Sequence, residues 1–237
     1  VSSTSRKKFR ENFIGNNFQK VLKNELFIYF PLFVDNEREN LLAAPFYTNT
    51  LEVVRGIAKS IPIEFKLYVK EHPGQSVRDW RSIEEYRKIM QIPNVRIIHP
   101  SVSTKDLYEK CSLVISLGGT AGFEAAIFQK PSIIFTDLDY SILPSVTRVN
   151  SIEELSGAIR VGLQKKVLAE DIDKYLTLLE KNSIRFDLHG FTLDEFEHFF
   201  YGGNLEDVDI SIPKMEAFLK LKKSDLEKLS QEFIKKI

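Results

Sequence analysis

One stretch of this 237-residue chain, residues 111–135, constrains the fold more than any other. An apolar run that ends at Leu117 leads into the glycine turn Gly118-Gly-Thr-Ala-Gly122, and a helical pattern then leads into a second apolar run. This order predicts two parallel strands with a helix N-terminus at the carboxyl edge of their sheet. Backbone N–H groups and the helix dipole at such a place favour an anionic ligand such as a nucleotide phosphate.

Similar apolar runs, too short for buried helices, alternate with helical patterns along the middle of the chain. Strands are predicted at 25–34, 65–73, 94–100, 112–117 and 131–136, with a short sixth strand at 146–149. Helical spacing runs from Pro45 to Pro62, and capped helices are predicted to start at Ser82, Ser103 and Ser151. The alternation indicates an α/β fold, a Rossmann-like parallel sheet with helices on both faces.

The two ends of the chain lack this alternation. Residues 1–24 are polar and basic and then weakly amphipathic, which predicts a linker or an incoming helix. Residues 25–166 form the predicted Rossmann-like domain. The remainder, 167–237, is predicted to be a helical C-terminal extension, with amphipathic helices at 171–183 and 213–235 and an aromatic-rich helix at 191–201.

Composition narrows the possible functions. Lys plus Arg and Asp plus Glu both number 33, so no net electrostatic attraction to nucleic acid or to an anionic membrane is expected. The single cysteine, Cys111, excludes an internal disulfide framework and is predicted to be a small buried residue between a helix and a strand. No apolar run reaches the length of a membrane span.

The glycine turn carries the strongest candidate site. Glycine lets the backbone approach a ligand closely, and Thr120 can cap the helix while its hydroxyl or N–H meets a phosphate. Glu124 would accept hydrogen bonds from a ribose or sugar hydroxyl. Alternatively, it is only a carboxylate that the helix dipole stabilises near the helix N-terminus. The alternative is a tight turn that binds no ligand. The candidate binding residues here are Ser116, Gly118, Gly119, Thr120, Ala121, Gly122 and Glu124.

A second candidate site ends the second predicted strand at Lys70-Glu-His-Pro73. A histidine at this edge can donate a hydrogen bond to a phosphate oxygen, and protonation strengthens that bond. His99-Pro100 repeats the dipeptide one strand later. We favour His72 as the phosphate contact because Lys70, Glu71 and Gly74 add polar and flexible groups, whereas His99 is predicted to be a strand-end residue. Lys70, His72 and Pro73 therefore join the candidate binding residues.

Two further features are weaker candidates. Polar residues at 35–38 follow the first strand at the same edge. They would either contact a ligand that binds at this edge or form a solvated loop. Asp137 and Asp139 form a DxD triplet that can chelate a divalent cation. A loop with a helix cap is favoured there, so no metal site is predicted. His189 and His198 lie in the helical extension and are predicted to be surface or packing residues.

An ordered set of motifs resembles the capsule polysaccharide or surface carbohydrate biosynthesis family, whose members look like GT-B glycosyltransferases. The resemblance covers about residues 25–165, with a weaker echo at 182–187. The segments that carry it are Tyr29-Phe-Pro-Leu32, Ala44-Pro-Phe-Tyr47, Tyr68-Val-Lys-Glu-His-Pro73, Trp80-Arg-Ser82, Ile92-Pro-Asn-Val-Arg-Ile97, Gly119-Thr-Ala-Gly-Phe-Glu124 and Lys130-Pro-Ser-Ile-Ile134.

The resemblance implies an activity and roles for particular residues. Some members are Kdo transferases that use a CMP-activated sugar, and there a His-Pro motif contacts the CMP phosphate, which by position is His72-Pro73 here. The implied function is transfer of a sugar from a CMP- or UDP-activated donor to a glycan or glycolipid acceptor in capsule or surface polysaccharide synthesis. The implied enzyme is cytoplasmic, works at the inner face of the membrane, and needs no metal or other cofactor.

The resemblance also implies a division of labour. GT-B enzymes have two Rossmann-like domains, and this chain shows the pattern of one. It is expected to be the C-terminal, donor-binding half, with the general base in a missing N-terminal domain. Two alternatives stay open, a GT-B-like UDP-sugar 2-epimerase and a nonenzymatic domain for nucleotide-sugar binding or assembly.

Overall fold

A computed structural model describes residues 3–33, 44–72, 81–202 and 208–236. The chain divides into two compact units, residues 1–175 and 176–237. The first unit contains a six-stranded parallel sheet in the order β3-β2-β1-β4-β5-β6. Its strands are β1 (Phe27–Pro31), β2 (Lys66–Lys70), β3 (Val95–Ile98), β4 (Leu113–Ser116), β5 (Ser132–Ile134) and β6 (Val146–Arg148). Each strand lies inside its predicted range, which confirms the six predicted strands.

The helices are α1 (Ser3–Asn17), α2 (Thr50–Ser60), α3 (Ile83–Met90), α4 (Thr104–Lys110), α5 (Ala121–Ile127), α6 (Leu155–Gly162), α7 (Ala169–Asn182), α8 (Leu188–Phe200), α9 (Ile212–Leu221) and α10 (Lys223–Lys236). Short 3-10 turns occur at Pro45–Tyr47, Asp139–Ile142 and Ile152–Glu154. Helix α7 begins in the first unit and ends in the second. No helix within the described ranges is both long enough and apolar enough to cross a membrane.

Both faces of the sheet are buried. Successive side chains of a strand point to opposite faces, and β1 shows this directly. Ile28 and Phe30 belong to one apolar core, and Phe27 and Tyr29 belong to a second core on the other face. Burial on both sides explains why the strands read as continuous apolar runs. The fold class is therefore confirmed as a Rossmann-like parallel sheet with helices on both faces.

The strand order reverses next to β1. Strand β1 pairs with β2 on one side and with β4 on the other. The chain therefore continues from β1 towards one edge of the sheet and from β4 towards the other edge. Such a reversal opens a crevice at the carboxyl ends of the strands, where ligands of open α/β sheets bind. This position is where the candidate site lies.

The segment before the sheet covers one of its edges. After α1, the N–H of Gln19 donates to the carbonyl of Ile97 at 2.9 Å, and the carbonyl of Gln19 accepts from the N–H of His99 at 2.9 Å. An exposed strand edge invites pairing with other chains, so this contact protects β3.

Helix starts follow the predicted caps at two of three positions. The Ser82 hydroxyl accepts from the N–H of Glu85 at 3.1 Å, and the Ser103 hydroxyl accepts from that of Asp106 at 3.4 Å. The cap predicted at Ser151 is wrong, because that residue precedes a 3-10 turn and its side chain makes no capping bond to a backbone N–H. The Glu154 carboxylate instead accepts from the N–H of Asn150 at 3.0 Å.

The second unit is built around aromatic side chains. The ring of Phe218 lies 4.9 Å from that of Phe199 and 5.7 Å from that of Phe191, measured between centroids. The His198 ring lies 5.4 Å from the same Phe218 ring, as expected of a packing residue. The single helix predicted at 213–235 is wrong, since α9 and α10 are separated at Lys222, whose ammonium donates to Asp194.

Candidate functional site

A cavity of about 410 Å³ lies at the carboxyl ends of β1, β2 and β4, at the point where the strand order reverses. It is lined by Tyr29, Pro31, Leu32, Phe33, Lys70, Glu71, His72, Thr104, Tyr108, Ser116, Leu117, Gly118, Gly119, Thr120, Ala121 and Glu124. Residues from two segments more than forty positions apart in sequence, Lys70–His72 and Ser116–Glu124, thus line one cavity.

The structure brings together most of the predicted site residues. Among the described members of that set, Gly122 alone does not line the cavity. Pro73, Gly74 and the loop 35–38 lie outside the described residues. His99 is not among the described residues of the cavity wall, and its Nδ1 lies 2.7 Å from the Ser101 hydroxyl. Burial, together with the charge of Lys20, lowers the pKa of His99.

The glycine turn has a backbone conformation that depends on Gly119. Its φ is 71°, in the left-handed region that side chains disfavour, and Thr120 follows with right-handed φ and ψ of −88° and −9°. Alternation between these conformations can direct successive N–H groups into a concavity that binds anions. The turn therefore has backbone geometry suited to a phosphate.

Three hydroxyl groups hold the carbonyl groups of this turn. The donors are Thr136 to Leu117 at 2.9 Å, Ser116 to Gly118 at 2.6 Å and Tyr140 to Gly119 at 2.6 Å. The carbonyl oxygens of the turn are thereby engaged by the protein itself. The predicted binding residue Ser116 acts here through the turn, since its hydroxyl donates to the backbone.

Gly122 has a packing role that the sequence did not predict. A Cβ atom at this position would lie 2.9 Å from Cε2 of Tyr140 and 3.0 Å from Cγ2 of Ile134. Glycine is therefore required so that α5 can approach β5 and the turn after it. Gly122 is not among the described residues that line the cavity, and its contact with a ligand stays a prediction.

Thr120 does not cap the helix as predicted. Its hydroxyl donates to Oε1 of Glu124 at 2.6 Å, and no capping bond to a backbone N–H forms from this side chain. Capping side chains usually project from extended backbone, whereas Thr120 is already right-handed. The hydroxyl instead holds the Glu124 carboxylate at the cavity wall.

Sequence reasoning missed two tyrosines at this wall. The rings of Tyr29 on β1 and Tyr108 on α4 meet edge to face, 5.5 Å apart between centroids. Burial, followed by the negative charge of Glu124, raises the pKa of both phenols, and the Tyr108 hydroxyl also bonds to that carboxylate. The available sequence signal was the spacing of Thr104 and Tyr108. Residues four apart lie on the same face of a helix, so both can line one cavity.

Lys70 is a buried cation beside the cavity. Only 5% of the residue is exposed, and its ammonium donates to the Val102 carbonyl at 2.6 Å and to the Thr104 hydroxyl at 2.8 Å. Burial lowers the pKa of this ammonium. A buried charge gains from a counter-charge, so an anion in the cavity would be stabilised here.

Another buried network flanks His72. The Glu71 carboxylate accepts from the His72 N–H at 3.0 Å, from the Arg81 guanidinium at 3.0 Å and from the Tyr86 hydroxyl at 2.8 Å. The sequence offered Arg81 only as part of the Trp80-Arg-Ser82 motif, without a role. Its partners come from segments distant in sequence, which no local pattern reveals.

The DxD triplet is engaged within the protein. Oδ1 of Asp139 accepts from the N–H of Tyr140 at 2.9 Å, and Asp137 lies 3.8 Å from Arg148. Over the part of the chain that the structure describes, no group of three His, Cys, Asp or Glu residues is arranged to hold a metal ion.

Comparison with known proteins identifies a family. A family described as capsule polysaccharide biosynthesis protein matches residues 7–176. No curated protein sequence matches the chain.

Several solved structures are similar to the chain at low sequence identity. The beta Kdo 2,7 transferase of KpsC from Thermosulfurimonas dismutans is 18% identical, with a TM-score of 0.44, and the match covers 76% of this chain and 64% of that one. UDP-GlcNAc 2-epimerase from Methanocaldococcus jannaschii, in complex with UDP-GlcNAc and UDP, is 18% identical with a TM-score of 0.44, over 74% of this chain and 49% of that one. UDP-GlcNAc 2-epimerase from Neisseria meningitidis, bound to UDP-GlcNAc, is 16% identical with a TM-score of 0.43, over 76% and 50%. The chain thus spans between about half and two thirds of the length of these structures.

Proposed function

The chain belongs to the capsule polysaccharide biosynthesis protein family, and from that premise we propose that its cavity binds a nucleotide sugar as the donor site of a glycosyltransferase. One observation carries this proposal. One cavity, at the point where the strand order reverses, is lined by a buried ammonium, a histidine and a glycine turn. In that turn a residue with left-handed backbone is followed by one with right-handed backbone. These groups suit a ligand that carries phosphate.

The proposed reaction transfers a sugar from a CMP- or UDP-activated donor to a glycan or glycolipid acceptor. The acceptor oxygen attacks the anomeric carbon and loses its proton to a general base, while the bond from that carbon to the phosphate oxygen breaks. The electron pair leaves with the phosphate. His72 donates a hydrogen bond to this leaving group, and the Lys70 ammonium and the N–H groups of the turn stabilise its charge. We assign no general base in this chain.

In this scheme Glu124 binds hydroxyl groups in the uncharged part of the donor. A carboxylate repels phosphate but accepts hydrogen bonds strongly from hydroxyl groups. Thr120 and Tyr108 hold Glu124 at the cavity wall, which supports a role in accepting from ribose or sugar hydroxyls. The proposal extends to a cytoplasmic enzyme at the inner face of the membrane.

Titration calorimetry tests the proposal. The chain is titrated with CMP, UDP and GDP and with their sugars, alongside His72→Ala and Thr120→Val. The other His-Pro dipeptide supplies the matched control, His99→Ala, which alters a histidine outside the described cavity wall. We expect one nucleotide to bind selectively, both cavity variants to weaken it, and the control to bind as the unmodified chain does.

The outcomes separate the alternatives. A nucleotide that binds equally well to His72→Ala and to the unmodified chain would contradict the assigned phosphate contact. Selective UDP binding, followed by release of an epimerised sugar without acceptor, would establish a UDP-sugar 2-epimerase instead. If no nucleotide binds, the donor-site proposal fails for this chain and an assembly domain becomes the better account.

A further inference from the structure

The guanidinium of Arg81 is buried between the ends of two strands. Its side chain is 0% exposed, and it donates to the Thr50 hydroxyl at 2.6 Å, to the Phe33 carbonyl at 2.5 Å and to Oε2 of Glu71 at 3.0 Å. A further carboxylate oxygen, from Glu85, lies 3.5 Å away. One planar group therefore joins segments that lie far apart in sequence, as the guanidinium fork permits.

The Glu71 carboxylate connects Arg81 to His72 through hydrogen bonds to both residues. Its Oε1 accepts from the His72 N–H at 3.0 Å, while Oε2 accepts from Arg81 and from the Tyr86 hydroxyl. Glu71 is only 1% exposed, so these charge-assisted bonds act in a site with little water. A chain of contacts thus runs from the guanidinium through the carboxylate to the backbone of the proposed phosphate contact.

The two strand ends that Arg81 joins both form the cavity rim. Phe33 follows β1 and His72 follows β2, and these strands are parallel neighbours in which Pro31 is paired with Lys70. Phe33 and His72 both line the cavity. Movement of the guanidinium would therefore alter two neighbouring segments of the same rim.

Stability alone is a weak explanation for this network. Replacing a buried ion pair by apolar residues of similar volume is often neutral or stabilising, because desolvation costs much of the electrostatic gain. A network that fixes one backbone arrangement at a binding site would instead keep the ligand-binding groups in position. The position of Arg81 between the two rim segments favours that role.

We infer that Arg81 is a positioning residue which, through Glu71, holds His72 in the orientation that phosphate binding requires, and through the Phe33 carbonyl holds the neighbouring segment of the rim. This inference rests on the proposed function of the cavity. It assigns Arg81 no contact with the ligand, because Arg81 is not among the described residues that line the cavity.

The test compares one substitution at two arginines. Arg81→Lys keeps the charge but loses the planar fork, and Arg55→Lys makes the same change in an exposed pair with Glu52. Glu71→Gln is a second variant, since its amide oxygen can still accept from the His72 N–H while its amide group no longer attracts the guanidinium. Two measurements are made, the exchange rate of the His72 amide hydrogen without ligand, and the affinity for CMP and UDP with and without His72→Ala.

We expect Arg81→Lys and Glu71→Gln to speed exchange of the His72 amide at least about tenfold and to weaken nucleotide binding about tenfold. In the His72→Ala background Glu71→Gln should cause little further loss, whereas Arg81→Lys should keep the part of its loss that acts through the Phe33 carbonyl. Arg55→Lys should change neither measurement. Unchanged exchange at His72, or a Glu71→Gln binding loss that simply adds to that of His72→Ala, would overturn the inference.

Failure of the proposed function has a different signature. If the unmodified chain binds neither CMP nor UDP, the donor-site proposal fails, and the amide exchange of His72 alone decides whether Arg81 positions it. Should Arg81→Lys not fold, Glu71→Gln provides both measurements.

Discussion

The Tyr140 hydroxyl donates a hydrogen bond of 2.6 Å to the carbonyl oxygen of Gly119. This bond joins the 3-10 turn after β5 to the glycine turn after β4, at the residue whose φ of 71° shapes that turn. The same Tyr140 ring fills the space that a side chain at Gly122 would need. Tyr140 thus supports the conformation of the turn from behind, although it does not line the cavity among the described residues.

Tyr140→Phe should loosen the turn. Loss of this partly buried hydrogen bond should lower the free energy of unfolding by about 1 kcal/mol and weaken nucleotide binding several-fold. Urea unfolding and calorimetry measure the two effects. Tyr47→Phe is the control, because its hydroxyl also donates to a backbone carbonyl, that of Asn150 at 3.1 Å, away from the described cavity wall. Equal losses of binding in both variants would contradict a specific role for Tyr140.

Gly122→Ala should destabilise the chain by overpacking. The new Cβ would lie 2.9 Å from the Tyr140 ring, and relief of such a contact typically costs about 1–3 kcal/mol. Gly157→Ala is the matched control, since no atom lies within 4 Å of its added Cβ in α6. Alanine there should raise the free energy of unfolding by up to about 1 kcal/mol, because it favours the helix. The expectation would be wrong if both alanines shifted the urea midpoint in the same direction.

The sequence predicted the fold well because the sheet is buried on both faces. A strand such as β4 has apolar residues at consecutive positions, and the crossover helices leave a distinct spacing between such runs. The prediction failed where a longer-range contact decides the local structure. At Lys222 the bond to Asp194 accompanies the break between α9 and α10, and a helical period alone does not show it.

The candidate site was predictable in part. Lys70 ends β2, and His72 and Gly119 follow β2 and β4. The carboxyl ends of parallel strands share one edge of a sheet, so the convergence of these residues could be expected. Arg81 could not be assigned in this way, since the Phe33 carbonyl that it binds lies 48 positions earlier in the chain. The cap expected at Thr120 failed because its backbone is already right-handed, whereas capping side chains project from extended backbone.

Cys111 should be unreactive in the folded chain. It is 1% exposed, and burial raises its thiol pKa from 9.0 to about 12. The thiolate is the nucleophile that attacks a disulfide reagent, so at pH 8 such a reagent should label the native chain only through opening, and label it fully in urea. Rapid native labelling would contradict the burial of this thiol.

The same pKa shift predicts a dependence of stability on pH. Because the unfolded thiol ionises at a lower pH than the folded one, the folded state binds more protons between pH 9 and about 12. The contribution of Cys111 to stability is therefore present below pH 9 and is lost as the pH rises through this window. Urea unfolding of Cys111→Ala should show a shallower alkaline loss than the unmodified chain, whereas identical slopes would contradict this assignment.

Glu124 should make the cavity sensitive to the hydroxyl groups of its ligand. If its carboxylate accepts from ribose, CMP or UDP should bind about tenfold more tightly than the corresponding 2′-deoxynucleotide, because one charge-assisted hydrogen bond is lost. Calorimetry with each pair measures this ratio. Glu124→Gln should reduce the ratio, since an amide oxygen is a weaker acceptor than a carboxylate.

Thr120 provides the control for that ratio, because its hydroxyl holds the Glu124 carboxylate at 2.6 Å. Thr120→Ser keeps the hydroxyl and should preserve the preference for ribose, whereas Thr120→Val removes it and should lower the preference even though the carboxylate remains. A ratio near one in the unmodified chain would exclude the ribose contact. An unchanged ratio in Thr120→Val would instead show that the Tyr108 hydroxyl, which also bonds to Glu124, suffices to hold the carboxylate in place.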